Sequence, residues 1–193
     1  HKTSDKTFTI CYTGTISTQY QPEDFFRAFK KLVTINEGLN FKIKFIGTVA
    51  PSIKKMIMEM DLTHHFEHVP TVPHDQIVGL QSEADALLLV IPAVPNAKGI
   101  LTGKIFEYLA IGNPVLCIGP PDGDAAAILQ EAEAGIVVDF DDKEGFKKSV
   151  IELYQNWKSG SRRKTSPGIS RFSRKELCGR VAAILDDISK QNS

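Results

Sequence analysis

Residues 86–118 have the sequence ALLLVIPAVPNAKGILTGKIFEYLAIGNPVLCI, in which two short apolar runs flank a helical pattern. The runs at 86–91 and 115–118 are apolar at consecutive positions, which is typical of strands covered on both faces. Gly112 and Pro114 favour the end of the helix and the start of the second strand. The stretch therefore predicts a strand–helix–strand unit of a parallel sheet.

The same alternation of apolar runs and helical patterns extends over the whole chain. The predicted strands span 8–13, 41–46, 66–69, 86–91, 115–118 and 136–138. The predicted helices span about 22–37, 51–60, 74–83, 103–111, 124–134, 143–157 and 173–190. Six strands in 193 residues give about 32 residues per strand, close to the roughly 30 of a βαβ unit. We therefore predict an α/β fold, with a single doubly wound, mostly parallel six-stranded Rossmann-like sheet over residues 1–193 and helices on both faces.

Composition excludes several classes of protein. The 23 Lys and Arg residues balance 23 Asp and Glu residues, and 42% of the chain is hydrophobic, which argues against disorder and against a strongly basic polyanion-binding protein. No apolar run approaches the ~18 to 20 residues that span a bilayer, and the first residues form no apolar signal segment. Three scattered cysteines, Cys11, Cys117 and Cys178, are too few for a disulfide framework. We expect a soluble, cytoplasmic protein with reduced thiols.

The residues that open the helix of the quoted stretch form the strongest candidate site. Thr102 and Gly103 lie at its start, where unpaired backbone N–H groups and the helix dipole favour an anion. Lys104 adds a cation there, which is costly unless an anion binds. Glu107 lies three residues further on and shares a helix face with Lys104. The alternative is an ordinary surface ion pair between these two side chains, worth about 0.3 kcal/mol.

Two further loops follow predicted strands. Gly14 would let the backbone approach a ligand closely, and the hydroxyls of Thr15 and Ser17 could donate to that ligand. The loop lacks the G-x-G-x-x-G spacing, so a nicotinamide dehydrogenase is disfavoured. In the other loop Asp124 is predicted to be a helix N-cap, with ligand contact by the amides around Gly123 as the alternative.

Two other clusters receive simpler interpretations. The basic residues at 162–164 are expected in a solvated loop, with contact to anionic lipid or to a partner as the alternative. His64 and His68 are four residues apart but flank a predicted strand, and no further ligand set completes a coordination sphere. We expect no metal site.

Several segments together resemble the C-terminal half of a GT-B glycosyltransferase. They are YTGTIS at 12–17, TGKIFEYLAIGNPVL at 102–116, EAEAGIVV at 131–138 and DFDD at 139–142. Within that fold the chain is most similar to the retaining glycosyl transferases of group 1, many of which build bacterial surface polysaccharides. The resemblance implies an enzyme that takes a sugar from a nucleotide-sugar such as UDP- or GDP-sugar, without a separate cofactor, and transfers it to a glycan or lipid-linked acceptor.

The resemblance also implies roles for individual residues. Glu107 matches the glutamate that holds the ribose hydroxyls, which suits a carboxylate able to accept two hydrogen bonds. The matches to the segment facing the diphosphate are Thr102, Gly103 and Lys104. The matches to the glycine loop near the phosphates or the sugar are Gly14 and Thr15. The chain around His68 and Val69 matches the region that lines the base.

The sequence departs from the family pattern at two places. Gly99 stands where many relatives carry a first glutamate eight positions before the second, so the sugar contacts cannot be transferred. The loop GTISTQY lacks the Arg and Lys that often follow the first-strand glycine, and Lys54 or Lys55 is a candidate for the missing charge. No catalytic residue is assigned.

Transferases of this fold bind the acceptor on a preceding α/β domain, and only the donor half is expected in this chain. Together with His1 at the start, this predicts a portion excised from a longer protein that is inactive alone and whose full form contacts the inner membrane peripherally. One alternative is a sugar-nucleotide epimerase of the same fold. The other is a flavodoxin-like nucleotide-binding or signalling module, which is disfavoured because Tyr12, Thr13 and Gly14 stand where a signalling receiver needs acidic residues.

Overall fold

The computed structural model describes residues 7–20, 22–35, 40–160 and 167–191, so the basic residues at 162–164 lie outside it. The strands of this part are β1 (Phe8–Thr13), β2 (Phe41–Ile46), β3 (Phe66–Val69), β4 (Ala86–Val90), β5 (Val115–Ile118) and β6 (Gly135–Val138). The helices are α1 (Glu23–Ile35), α2 (Pro51–Glu59), α3 (His74–Ser82), α4 (Lys104–Ile111), α5 (Asp124–Glu131), α6 (Lys143–Lys158) and α7 (Arg174–Gln191).

The strands form one sheet in the order β3-β2-β1-β4-β5-β6, and every pairing within it is parallel. The strand order reverses between β1 and β4. In open parallel sheets a ligand crevice forms at such a switch point, outside the carboxyl ends of the strands. The predicted α/β fold class is confirmed, and the switch point lies where the loops after β1 and β4 meet.

Two hydrophobic clusters cover the two faces of the sheet. One joins the sheet to α1, α2 and α6, and Phe26, Phe29 and Leu32 of α1 are fully buried in it. The other joins the sheet to α4 and α5, where Ile105 and Leu129 are fully buried. Each such side chain stabilises the fold by about 1.5–3 kcal/mol relative to an exposed one. The continuous apolar runs of β4 and β5 are explained by this two-sided burial.

Helix ends follow the local sequence, with one correction. Gly112 ends α4 in the left-handed conformation at φ 80°, which glycine adopts without steric cost. Asp124, predicted as an N-cap, is instead the first residue of α5, and extended Gly123 is the N-cap. The prediction was wrong because the Gly123 N–H closes a turn on the Pro120 carbonyl oxygen at 3.1 Å, which moves the helix boundary one residue back.

The last helix leaves an apolar face uncovered in the described structure. The exposed residues of α7 recur at helical spacing and are Leu177, Val181, Ile184, Leu185 and Ile188. None of the described helices is both long enough and apolar enough to cross a bilayer.

The thiols at 11, 117 and 178 are free. Cys11 and Cys117 lie in the core, and burial raises the pKa of each to about 12. Since the thiolate is the reactive form, these two side chains behave as small apolar groups at neutral pH.

Candidate functional site

Next to the switch point, two glycine loops make a close contact. Gly14 after β1 and Gly47 after β2 have φ angles of 114° and 124°, which L side chains rarely adopt. The Gly14 N–H donates to the Ile46 carbonyl oxygen at 2.9 Å, and the Thr48 N–H donates to the Gly14 carbonyl oxygen at 3.2 Å. A Cβ atom at Gly47 would collide with that Gly14 carbonyl oxygen. Glycine at 47 therefore permits the two loops to meet.

Lys104, the first residue of α4, reaches over the end of β1. Its Nζ donates to the Thr13 carbonyl oxygen at 3.0 Å and to the Tyr12 hydroxyl at 3.3 Å. The ammonium also lies 4.4 Å from the centre of the Tyr12 ring, within the range of a cation–π contact. A Cβ atom at Gly14 would lie 3.3 Å from Nζ. The structure thus brings together Gly14 and Lys104, two predicted site residues that are 90 positions apart in the sequence.

No carboxylate of the described ranges pairs with Lys104. Burial lowers the pKa of Lys104, and the negative charge of Glu107 opposes that effect only in part. Among the described residues Lys104 forms no ion pair within 4 Å, so the alternative of a surface pair with Glu107 is wrong. The reason is that the side chain turns towards β1, where its acceptors are a carbonyl and a phenol oxygen. A partly desolvated cation with neutral partners favours an added anion.

Two further polar groups beside Lys104 lack a protein partner. Glu107, one turn along α4, is half-buried and has no hydrogen bond or ion pair within the described ranges. The Thr102 hydroxyl oxygen is buried and likewise has no partner there. Gly103 is the N-cap of α4 and gives the helix no side-chain cap. The start of α4 therefore carries a cation, a carboxylate and an unpaired hydroxyl close together in the chain.

The β1 loop itself is open to solvent. Gly14 and Thr15 are exposed, while Ile16, the next residue, is buried and anchors the loop. The Thr15 carbonyl oxygen accepts a hydrogen bond from the Tyr12 hydroxyl at 2.8 Å. A ligand in the crevice would therefore face backbone of fixed conformation together with the exposed Thr15 side chain.

Sequence reasoning missed Tyr12 and a buried network beneath the site. The Gln81 side-chain amide donates to the Thr13 hydroxyl at 2.9 Å, which lies 3.1 Å from the Tyr108 hydroxyl. Tyr108 in turn donates to the Leu88 carbonyl oxygen at 3.3 Å. The chain of donors thus links α3, β1, α4 and β4. Its partners are 68 and 95 residues apart, and no spacing in the sequence signals such contacts.

The loop after β5 has a different character. The Lys98 ammonium and the Asp122 carboxylate form an exposed ion pair at 2.6 Å, and this hydrogen bond holds the pKa of Asp122 below its usual range. The Gly123 N–H is already bonded to Pro120, and a Cβ atom at Gly123 would lie 3.0 Å from the Lys98 carbonyl oxygen. This loop packs against the loop after β4, and the Gly123 amide is not available to a ligand.

Of the remaining residues selected from the sequence, some lie beside the site and others do not. The His68 Nε2 atom lies 2.9 Å from the Gly47 carbonyl oxygen, which places this histidine beside the glycine contact. Lys55 instead pairs with Glu59 on α2 at 3.6 Å. A Cβ atom at Gly99 would meet nothing within 4 Å, so packing does not require glycine there. Within the described ranges, no three His, Cys, Asp or Glu side chains could hold a metal ion together.

Comparison with known proteins gives a family and a set of structural neighbours. The family model described as "Glycosyl transferases group 1" matches residues 1–167. Among curated proteins, no sequence matches significantly. Solved structures that resemble the chain share 10–17% sequence identity with it, which shows a common fold.

Three of these structures illustrate the likeness. The lipopolysaccharide outer core galactosyltransferase WaaB in its apo form is 14% identical, with a TM-score of 0.67 over 94% of this chain and 50% of that one. Anabaena HepE in complex with UDP-glucose is 13% identical, with a TM-score of 0.68 over 94% and 49%. Sucrose-phosphate synthase from Thermosynechococcus elongatus is 15% identical, with a TM-score of 0.71 over 97% and 46%. The chain spans about half the length of each neighbour.

Proposed function

This chain belongs to the glycosyl transferases group 1 family, and we propose that it binds the nucleoside diphosphate of a sugar-nucleotide donor. The sugar passes to a glycan or lipid-linked acceptor held by a further domain. The observation that carries the proposal is the Lys104 ammonium, which lies over the Gly14 loop and whose partners in the described part of the chain are neutral.

The diphosphate of the donor has candidate partners on both sides of the site. The diphosphate lies between the β1 loop and the start of α4, where it meets Lys104, Thr102 and the backbone of Gly103. Two anionic oxygens there gain from the helix dipole and from the lysine charge, and both effects strengthen as the diphosphate leaves. This chemistry needs no metal ion or cofactor. Gly14 and Thr15 approach the same phosphates from the opposite side.

Glu107 binds the ribose. A carboxylate accepts hydrogen bonds from two neighbouring hydroxyls, and this one has no competing partner among the described residues. The solved complex of HepE with UDP-glucose favours uridine as the nucleoside. The likeness to the lipopolysaccharide galactosyltransferase WaaB favours an acceptor in bacterial surface polysaccharide synthesis, at the inner membrane.

Nucleotide titrations test the proposal. Isothermal titration of the chain with UDP, GDP and ADP should give a Kd near 0.1–1 mM for the preferred nucleotide, about −4 to −5.5 kcal/mol, because one wall of a cleft contributes. Glu107→Ala should weaken UDP about tenfold, as expected for the loss of hydrogen bonds to a charged acceptor. The same substitution should abolish the preference for UDP over 2′-deoxy-UDP. Glu152→Ala, at an exposed glutamate of α6, is the matched control.

Two outcomes would contradict the proposal. Failure of all three nucleotides to bind would remove the donor site altogether. Unchanged UDP affinity in Glu107→Ala would remove the ribose assignment. Interconversion of the sugar-nucleotide by the longer protein, with no acceptor present, would instead indicate an epimerase.

A further inference from the structure

Tyr12 contacts both the cation of α4 and the loop after β1, although it faces away from solvent. It is fully buried. Its hydroxyl donates to the Thr15 carbonyl oxygen at 2.8 Å and accepts from Lys104 Nζ at 3.3 Å. The ammonium lies 4.4 Å from the centre of its ring. One side chain therefore links the cation of α4 with the loop after β1.

We propose that Tyr12 is a positioning residue for the donor diphosphate. Its hydroxyl holds the Lys104 ammonium against the Gly14–Thr15 loop, so that cation and loop reach the same anion together. This inference rests on the proposed function and assigns a role that Tyr12 performs through Lys104.

A phenol hydroxyl can position a cation without neutralising its charge. Lysine has a flexible four-carbon stem, and ordering it on binding costs affinity. Tyr12 and the Thr13 carbonyl order the ammonium before the anion arrives, using two of its three N–H donors. A carboxylate in place of Tyr12 would order Lys104 equally well but neutralise its charge. A phenol leaves that charge available to the diphosphate.

The support for Tyr12 is itself rigid. Its ring packs against Phe45, with ring centres 5.2 Å apart. Burial raises the pKa of Tyr12 above its usual range, so the hydroxyl keeps its proton and continues to donate to Thr15. The neighbouring Thr13 is fixed by Gln81 and Tyr108. The two β1 residues that contact Lys104 are therefore held by separate neighbours on β2, α3 and α4.

A double-mutant cycle tests whether Tyr12 acts through Lys104. The four chains are wild type, Tyr12→Phe, Lys104→Met and the double variant, each titrated with UDP and with uridine. Tyr12→Phe keeps the ring and its packing. It should weaken the affinity for UDP about fivefold, the usual effect of losing one hydrogen bond. Lys104→Met should weaken UDP more, about twentyfold. The double variant should match Lys104→Met, and uridine affinity should stay constant throughout.

A second measurement reads the positioning without any ligand. In the free chain, NMR relaxation of the Lys104 side chain should show greater mobility in Tyr12→Phe than in wild type. Thermal unfolding of each variant checks that the fold is retained.

Several results would overturn the inference, and they separate it from the proposed function. Equal Lys104 mobility in wild type and Tyr12→Phe would show that the hydroxyl does not order the cation. UDP affinity unchanged in Tyr12→Phe, or losses that add in the double variant, would leave the donor site intact but remove Tyr12 from it. Equal losses for UDP and uridine would indicate a general structural role. Absence of UDP binding in wild type would overturn both proposals.

Discussion

Helices α4 and α5 begin at the same edge of the sheet, and both begin after a glycine N-cap with no side-chain cap. The first residue of α5 is Asp124, whose carboxylate already complements the positive end of the helix. The first residue of α4 is Lys104, which adds positive charge to positive charge. A helix start alone therefore does not mark an anion site in this fold. The uncompensated cation distinguishes α4.

The two helix starts also differ in what lies opposite them. Lys104 reaches the Gly14–Gly47 contact, where two backbone segments in the left-handed region meet. The loop before α5 is closed by the Gly123 to Pro120 hydrogen bond and by the exposed Lys98–Asp122 ion pair. The first loop contains glycines at positive φ, where an added side chain would be strained, and the second is closed by prolines. Substitutions in the two loops should therefore have different effects.

The largest effect is expected from alanine at Gly47, compared with alanine at Gly123. Gly47→Ala forces a side chain into φ 124° and against the Gly14 carbonyl oxygen, which should cost about 3 kcal/mol in the free energy of unfolding. For a chain of this size the Tm should fall by about 6–12 °C. Gly123→Ala, at φ −92°, should cost only about 1 kcal/mol. Equal Tm values for the two variants would contradict this ranking.

The second effect concerns the buried network beneath α4. Tyr108→Phe removes the hydroxyl between Thr13 and the Leu88 carbonyl oxygen and leaves buried groups unpaired, at a cost of about 2 kcal/mol. Ser149→Ala is the matched control, since within the described structure its hydroxyl bonds the Gly145 carbonyl oxygen of its own helix, at 2.8 Å, and nothing else. That loss should be close to neutral. Urea unfolding measures both, and a Tyr108→Phe chain as stable as Ser149→Ala would show that the network contributes nothing.

Local sequence signals were sufficient to predict the sheet and its helices. The continuous apolar run of β4 reflects burial on both faces, and α4 ends at Gly112 as predicted, with that glycine at a positive φ. Such features are encoded within a few residues. The Asp124 prediction failed because a turn at Pro120 competed with the capping preference.

Only part of the candidate site could be predicted, because some of its residues are recognisable by type and position and others only by their tertiary contacts. Gly14 and Lys104 could be selected from the sequence because a glycine follows a predicted strand and a lysine begins a predicted helix. Tyr12 resembles any core aromatic in the sequence, and its role depends on the direction of its hydroxyl at the end of β1. Gln81 resembles an exposed helix residue, yet it is fully buried. Contacts of this kind arise from tertiary packing between elements far apart in the chain.

The third prediction makes α5 resemble α4. Asp124→Lys removes a favourable charge at the start of α5 and adds an unfavourable one, which should destabilise the chain by about 0.5–1 kcal/mol. It should not create a second UDP site, because the Gly123 amide is bonded to the Pro120 carbonyl oxygen and the loop is closed against Lys98. Titration with UDP should therefore give the wild-type stoichiometry and Kd. A second equivalent of bound UDP would show that a cation at a helix start is sufficient.

The smallest effect is the pH dependence that Lys104 gives to the free chain. Burial lowers its pKa in the folded state, below the value of about 10.4 expected when unfolded. Between these two values the unfolded chain binds more protons, so stability due to Lys104 rises with pH. Below the folded pKa the cost of the buried charge is present in full. Lys104→Met lacks this cost and should be at least as stable as wild type at pH 7.

Urea unfolding of wild type and Lys104→Met from pH 7 to 10 isolates that slope, because the two chains share every other titrating group. The stability difference in favour of Lys104→Met should shrink as the pH rises. The affinity for UDP should change with pH in the opposite direction. Because the diphosphate favours the charged amine, the affinity should fall as Lys104 loses its proton. A stability difference that stays constant with pH would mean that Lys104 is fully solvated. The start of α4 would then differ from that of α5 in sequence but would not favour an anion through a buried charge.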